Sequence, residues 1–598
     1  MVRVLLLASL AGFAWAQAPG GAALFKQRCS ACHDGAANSR APSPEALRER
    51  TPESIVQALE IGPMRIVGSR LNGAERRSLA EFISGKKIGV DVVGATVGRC
   101  AAQPPFPDPA SGPLWNGWGV TPANTRFQSA KQAGLTAPQV PHLTLKWAFG
   151  FPDASSAWAQ PAVAGGRVFV GSQNGTVYSL DAKSGCIYWT FSVQGGARTG
   201  MVIGPREGGR GFAVYFGDTS ANAYAVDAAT GHKLWVRKME EHPLARVTDT
   251  PTLYGGRLYV GVSSYEEAQS AEPSYQCCTF RGSLSALDAK TGAVLWKSYT
   301  IASEPKPITK SASGKTLWGP AGGGVWSSPT IDAKRGVVYV ATGNSYSGPE
   351  DPGSDAILAF EIETGKLRWS RQTTPKDIFV IQCQPGSNNP NCPAESGPDY
   401  DFGNAPILAT LANGHDVIVI GQKSGMGFAL DPEKRGEVLW QYRAGEGSSL
   451  GGMEWGSATD GENVYFPVSD MYRPKPGGLH AVSLASGQRV WYAPPQPAKC
   501  AAGPGCNAAQ SAAITVIPGV VFSPSNDGVL RAYSTKDGSI IWDFDTNREF
   551  QTVNGVPAKG ASMIGPGPVV AGGMVYVNSG YVGFGGRAGN VLLAFGVE

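Results

Sequence analysis

The chain has 598 residues, 42% of them hydrophobic and 16% charged, with a formal net charge of +4. That composition excludes a disordered chain, a polytopic membrane protein and a nucleic-acid binder driven by bulk charge. The 79 glycines and 44 prolines, with few long amphipathic runs after about residue 90, point to short strands and turns in one large repeat fold carrying a small extra module.

The N-terminus reads as an export signal. A basic start at Met1–Arg3 is followed by an apolar run from Val4 to Trp15 and the small-x-small sequence Ala14-Trp15-Ala16. The run is too short to span a bilayer, so residues 1–16 are expected to be a cleaved signal peptide, the protein to be periplasmic or secreted, and no transmembrane anchor to follow. Ten cysteines suit that oxidising compartment.

Residues 29–33 read CSACH. Thiols at this spacing, Cys29 and Cys32, form thioethers to the two haem vinyl groups, and His33 then ligates the iron. Met64 is the only methionine between His33 and Met201, in a Gly/Pro loop between helical patterns at 52–59 and 72–83, and is the expected second axial ligand. A small all-α cytochrome c domain is thus expected over 17–87, then a Pro/Ala/Gly-rich linker over 88–112. Among the other eight cysteines, Cys277 with Cys278, Cys383 with Cys392 and Cys500 with Cys506 invite pairing by proximity, which leaves Cys100 with Cys186 by elimination. Spacing alone does not prove this connectivity.

From residue 113 onward one phrase recurs: an apolar strand, a polar turn with Gly, and a strand ending in Trp. It stands as LDAKSGCIYW (180–189), VDAATGHKLW (226–235), LDAKTGAVLW (287–296), FEIETGKLRW (360–369), LDPEKRGEVLW (430–440), VSLASGQRVW (482–491) and YSTKDGSIIW (533–542). A strand pair usually precedes each, giving four strands per repeat, the pattern of a β-propeller blade. Trp147 marks an eighth unit. Pairing of Leu143–Phe149 with the C-terminal strands is expected to close an eight-bladed propeller over 113–598 without a free edge. The repeated tryptophans read as packing between blades.

Eight blades with this repeat resemble the PQQ-dependent alcohol dehydrogenases. The cytochrome ahead of them, with the phrases CCTFRGSLSALDAKTG, GPDYDFGNAPIL and GPGPVVAGGMVYVNSGY, is most similar to the polyvinyl alcohol dehydrogenase branch of the quinohaemoprotein enzymes. The resemblance implies a site. In GGGVWSSPTIDAKRGVVYVATGNSY, Trp326 takes the place of the quinone floor and Asn344, 18 residues on, that of a metal ligand. An indole face suits a planar quinone, and an amide oxygen suits a hard cation. In TDTPTLYGGRLYVGVSSYEE, Thr248 and Ser263 match the quinone-contacting hydroxyls and Glu266 the metal carboxylate, with Glu267 as the alternative. Asp355, in SDAILAFEIETG, takes the place of the base that accepts the alcohol proton. Asp401 is the alternative base, favoured as a blade-structural residue. Arg198 and Lys423 match cations that face the cofactor's carboxylates.

Two residues beyond the base the lanthanide-dependent branch carries a further Asp. Here that position is Ile357, which implies calcium. The chain also departs from the family. No cysteine pair lies in the second blade, and Cys277–Cys278 in the third blade either caps the quinone from another loop or is a structural turn. Glu454 stands where relatives place Asn. His142, His232, His242, His415 and His480 form no zinc spacing and are expected to be solvated.

The implied activity is exported oxidation of an alcohol, secondary and in some cases polymeric, using PQQ, calcium and haem c, with an external cytochrome or respiratory chain as final acceptor. The competing reading is a non-catalytic propeller scaffold with a haem electron-transfer module, which has no reason to hold these site residues together. A soluble sugar dehydrogenase of the quinoprotein type fits less well, because that fold has six blades and usually a catalytic His.

Overall fold

The computed structural model describes residues 20–34, 41–48, 50, 52–60, 64–68, 71, 73–87, 97–152, 154–206, 209, 211–310, 314–383 and 387–597. The expected signal peptide and residues 88–96 of the expected linker lie outside them.

Eight antiparallel sheets follow one another along the chain, seven four-stranded and one, the third, extended to five strands by Ala245–Arg246. In order they span 162–192, 202–238, 252–299, 330–372, 407–443, 458–493, 515–545 and 569–596, here blades 1 to 8. The fourth strand of blade 8 comes from the other end of the propeller: Thr144–Gly150 pairs antiparallel with Val591–Gly596 and places Ala148 opposite Leu593. The ring closes as the sequence leads one to expect, and no blade presents a long bare edge.

The repeat explains the blade contacts. An acid closes the turn: Asp181 Oδ1 accepts from Ser184 N at 2.8 Å, and Asp227 Oδ1 from Thr230 N at 2.9 Å. The glycine that follows takes a left-handed φ, +74° at both Gly185 and Gly231. It also lies flat against the tryptophan of the preceding blade, and a Cβ on Gly231 would stand 2.7 Å from the Trp189 ring. The indole N–H then donates to a carbonyl of the next blade, Trp189 to Ala228 O at 3.0 Å and Trp235 to Ala289 O at 3.0 Å. Gly and Trp of one phrase thus serve different interfaces, which is why both recur in every repeat.

Antiparallel order also decides where the site lies. In each blade the connection into the first strand and the one between the second and third strands open on the same end of the ring. Residues far apart in sequence therefore converge there. The axis is crossed by a segment with no counterpart in the repeat, residues 115–128. Trp115 pairs with Val163 of blade 1, Asn116 exchanges two hydrogen bonds with Ile203 of blade 2, and Gln128 reaches Val516 and Val570 of blades 7 and 8. Arg126 is its anchor. Fully buried, it donates to Ile514 O, Trp118 O and Gln160 Oε1 and lies 4.6 Å over the Trp118 ring. This plug was not foreseen from the sequence.

Among the described residues ahead of position 88 stand the short helices Gly21–Arg28, Ser30–His33, Pro44–Arg48, Pro52–Glu60, Arg65–Gly68 and Gly73–Ser84. They gather around Leu24, Cys29, Leu59 and Leu79, with Met64 at the edge of this cluster. Arg77 ties the module to blade 1, donating to Asn174 O at 3.0 Å and Val193 O at 2.9 Å. Residues 97–112 run along blades 1 and 2 as a fastened strap. Cys100 is bonded to Cys186, and Phe106 packs edge-on to Phe169 and Phe212. The other disulfides, Cys277–Cys278, Cys383–Cys392 and Cys500–Cys506, are the pairs that proximity suggested. Among the described residues no helix is long and apolar enough to cross a membrane.

Candidate active site

A cavity of about 690 Å³ opens at the end of the ring where those connections meet. Trp326, Asn344, Thr248, Ser263, Arg198 and Lys423 all line it, although 225 residues separate the first of them from the last. Trp326 is held edge-on to Trp455, ring centres 5.1 Å apart. Its ring packs on Gly403, where any side chain would collide with it. Thr248 and Ser263 join their hydroxyls at 2.7 Å.

Lys423 is the electrostatic centre. Its Nζ donates to Asp399 Oδ1 and Asp401 Oδ2, both at 3.1 Å, and lies 5.4 Å from the Trp326 ring centre. Burial opposes its charge, but Asp399, Asp401, Glu267 and Glu454 outweigh that and hold its pKa well above the ordinary lysine value. The carboxyls outnumber the cations. Burial and then the Asp401 charge push Glu267 up to about 8, and burial pushes Glu454 up to about 7. Such a cluster is arranged for a further positive charge.

Several buried groups have no partner among the described residues. Asn344 Nδ2 donates to Ser345 O at 2.9 Å and Phe379 O at 2.8 Å, which fixes the amide, while its buried Oδ1 accepts nothing among the described residues. The backbone N–H of Asn344 donates to Asp401 Oδ1 at 2.7 Å. Arg198 lies 4.7 Å over the Trp455 ring with Nη2 buried and unmatched. An orphaned amide oxygen beside buried carboxyls fits a hard cation, and an orphaned guanidinium N–H fits an anionic group. No three His, Cys, Asp or Glu side chains among the described residues are grouped to hold a metal unaided. A cation here would take Asn344, the carboxylates and donors from a bound cofactor.

Two comparisons settle the lineage. The family model for the glucose/ethanol/alcohol dehydrogenase β-propeller domain matches residues 115–446, and a second, for outer membrane protein assembly factor BamB, matches 475–597. A polyvinylalcohol dehydrogenase of Pseudomonas sp. is 42% identical over 97% of this chain and 94% of its own length. The chain belongs to the PQQ-dependent quinohaemoprotein alcohol dehydrogenase family. A second polyvinylalcohol dehydrogenase, from Sphingopyxis sp. (strain 113P3), is 39% identical over 97% of this chain and 93% of its own length. Among solved structures, the quinohemoprotein alcohol dehydrogenase ADHIIG of Pseudomonas putida HK5 shares the fold, with a TM-score of 0.60, 18% identity and coverage of 81% and 80% of the two chains. The protein is therefore a PQQ-dependent alcohol-oxidising enzyme.

Within this quinohaemoprotein frame, several expectations need correction. Glu266 does not face the cavity. Its buried carboxylate accepts from Tyr275 Oη at 2.7 Å and from the backbone N–H groups of Thr279 and Phe280 at 2.8 Å. Glu267, one position on along the short helix Glu266–Gln269, lines the cavity instead. Asp355 is fully buried behind the wall, with both carboxyl oxygens unmatched among the described residues. Burial, then the charges of Asp377, Asp401 and Asp399, raise its pKa well above the carboxylate range, and its place behind the wall keeps it away from the cavity. Asp401 lines the cavity and is more than a blade-structural residue. Ile357, on which the choice of calcium rests, is a buried strand residue outside the cavity wall.

Cys277–Cys278 is also absent from the cavity wall. It sits in the core beside Phe280, Ala321 and Tyr346. His480 is not solvated: it is buried and meets Tyr442 Oη at 2.8 Å, and burial lowers its pKa to about 4. His242, too, is mostly covered, 3.5 Å from Glu266. Sequence reading missed Asp399, Trp158, Trp455 and Tyr581 as cavity residues. Asp399 and Trp455 had a signal, being neighbours of the quoted Asp401 and Glu454. Tyr581 closes the quoted phrase GPGPVVAGGMVYVNSGY, and Trp158 had no signal.

In the helical module the four disulfides use every cysteine except Cys29 and Cys32. His33 is buried, with Nδ1 at 2.8 Å from Pro42 O. Nδ1–H donating there leaves the Nε2 lone pair for a metal, the usual support of an axial histidine. Leu59 and Arg76 of this module line the cavity as well.

Proposed function

We propose that this enzyme is an exported quinohaemoprotein that oxidises secondary alcohols, polymeric ones such as polyvinyl alcohol among them, to ketones. Its electrons pass to its own haem c and then to an external cytochrome or the respiratory chain. The observation that carries the reading is the unmatched Asn344 Oδ1 among buried carboxyls, beside an indole face and two cations.

Trp326 is the floor for the quinone plane. Arg198 and Lys423 face its carboxylates, and Thr248 and Ser263 offer it hydroxyl groups. Glu267, Asn344 and Asp401 would hold the cation, and an all-oxygen donor set suits calcium. When bound, PQQ supplies the two-electron acceptor, calcium the Lewis acid and haem c the one-electron relay. Asp401 takes the hydroxyl proton: the Asn344 N–H and Lys423 fix its carboxylate, and Oδ2 keeps lone-pair capacity toward the cavity. Cys29 and Cys32 would attach the haem, and His33 and Met64 would ligate its iron. The polyvinylalcohol dehydrogenases among the relatives, and the four disulfides, support the substrate class and the compartment.

One spectroscopic experiment tests this. Protein made with haem-attachment machinery is given PQQ, calcium and a secondary alcohol, and haem reduction is followed without a mediator. Reduction that needs both additions, and is lost in Asp401→Asn, supports the whole reading. An intact haem with no PQQ uptake returns the scaffold alternative.

A further inference from the structure

A second cavity, about 630 Å³, shares Phe379, Ser449 and Tyr472 with the first. The shared walls make one a continuation of the other. Its outer wall includes Cys383, Ser387 and residues from the stretch 392–398, and several bonds hold these in place. Cys383 is bonded to Cys392, Asn391 Nδ2 donates to Ser270 O and Glu272 O at 3.0 Å each, and Asp377 accepts from the N–H groups of Asp399 and Tyr400.

The two spaces differ in chemistry. The first is crowded with carboxyls, whereas among the described residues none lines the second. Its polar groups are mostly hydroxyls, Ser387, Ser396, Ser448 and Tyr400 among them, with Arg473 as the single cation among the described residues. Ser448 Oγ is buried with no partner among the described residues. Phe379 and Tyr472 add aromatic faces, and Tyr472 is 63% exposed at the junction. One arginine is too little charge for a polyanion, and an apolar ligand would leave the hydroxyls unmatched. Hydroxyl groups spaced by apolar carbons satisfy both kinds of surface.

We propose that this groove is a subsite for the substrate chain flanking the reacting carbon, and that its occupant is a neutral polymer of alternating carbinol and methylene carbons. This deepens the proposed function and rests on it for the identity of the reacting site. Binding energy from the remote chain then supports turnover at the cavity, so long substrates gain over short ones.

Ala394 lines the groove alone and is solvent-exposed, so a larger side chain there fills the space without disturbing the core. The holoenzyme and its Ala394→Trp and Ala394→Ser variants are assayed with polyvinyl alcohol and with 2-butanol. Affinity of each cofactor-free protein for unreacted polymer is measured by calorimetry. We expect Ala394→Trp to lower the ratio of kcat/KM for polymer over that for 2-butanol about tenfold and to weaken polymer binding by a similar factor, while Ala394→Ser keeps both. An unchanged ratio and unchanged polymer affinity in Ala394→Trp overturn the groove. If the wild-type holoenzyme oxidises neither alcohol, the proposed function is what fails, and the calorimetric comparison still decides the groove.

Discussion

Two adjacent glutamates give a crossed test of the site. Glu266 and Glu267 differ by one position, and the structure assigns them opposite duties. In Glu266→Gln the amide keeps one oxygen for Tyr275 Oη and Thr279 N, but its NH₂ must face the Phe280 N–H, which is left unsatisfied. An unsatisfied buried donor costs about 1–3 kcal/mol, and replacing charge-assisted bonds by neutral ones costs about 1 kcal/mol for each of the other two. The expected loss is about 3–5 kcal/mol of stability, with calcium affinity of the folded protein kept within several-fold. Glu267→Gln is the reverse. Glutamine mimics the neutral acid that burial favours near neutral pH, so stability changes little. Calcium affinity falls on the order of 100-fold, and alcohol oxidation with it. Thermal melts of metal-free protein and calcium calorimetry on both variants check this. A Glu266→Gln protein that melts normally yet has lost calcium would refute the assignment.

Asp401→Asn is expected to lower kcat on the order of 10²–10⁴-fold, while Asp355→Asn changes it only a few-fold, read as alcohol-dependent haem reduction. Calcium must displace the Glu267 proton, so affinity should rise about tenfold per pH unit up to about pH 8 and then level, with proton release measured in buffers of different ionisation enthalpy. Because the folded pKa of Glu267 lies above its unfolded value, its contribution to metal-free stability is full below about pH 4.5 and is lost as pH rises through about 8; melts at pH 6 and pH 9 should show the drop, and calcium should reverse it. Gly487→Ala adds a methyl 2.7 Å from the Trp440 ring at a φ of +69° and should cost about 2–4 kcal/mol by melting temperature, against about 1 kcal/mol for Gly414→Ala, which meets no neighbour and isolates the cost of the left-handed turn at φ +82°.

The repeat was legible because one phrase carries two halves of every blade contact. A left-handed glycine and an indole must each recur if blades are to stack, so the tryptophans counted the blades correctly and Trp147 announced the closing strand. Trp326, Asn344, Thr248, Ser263, Arg198 and Lys423, which the resemblance singled out, all line the cavity. On the short helix Glu266–Gln269 a shift of one residue turns the side chain by about 100°, which separates cavity-facing Glu267 from core-facing Glu266. Asp355 carried the right chemical type, but burial is a property of everything packed around it, and no local pattern reports that.

By itself the sequence determined the periodic part of this protein: eight blades, their closure, the haem-attachment motif and the types of residue the site needs. Those follow from local rules of strand period, turn chemistry and motif spacing. Only the tertiary structure decided which acid faces the cavity, that residues 115–128 plug the axis, that Cys277–Cys278 lies in the core, and that a second groove adjoins the first. These depend on which groups share a low-dielectric space, and that is set by loops from several blades meeting at one end of the ring.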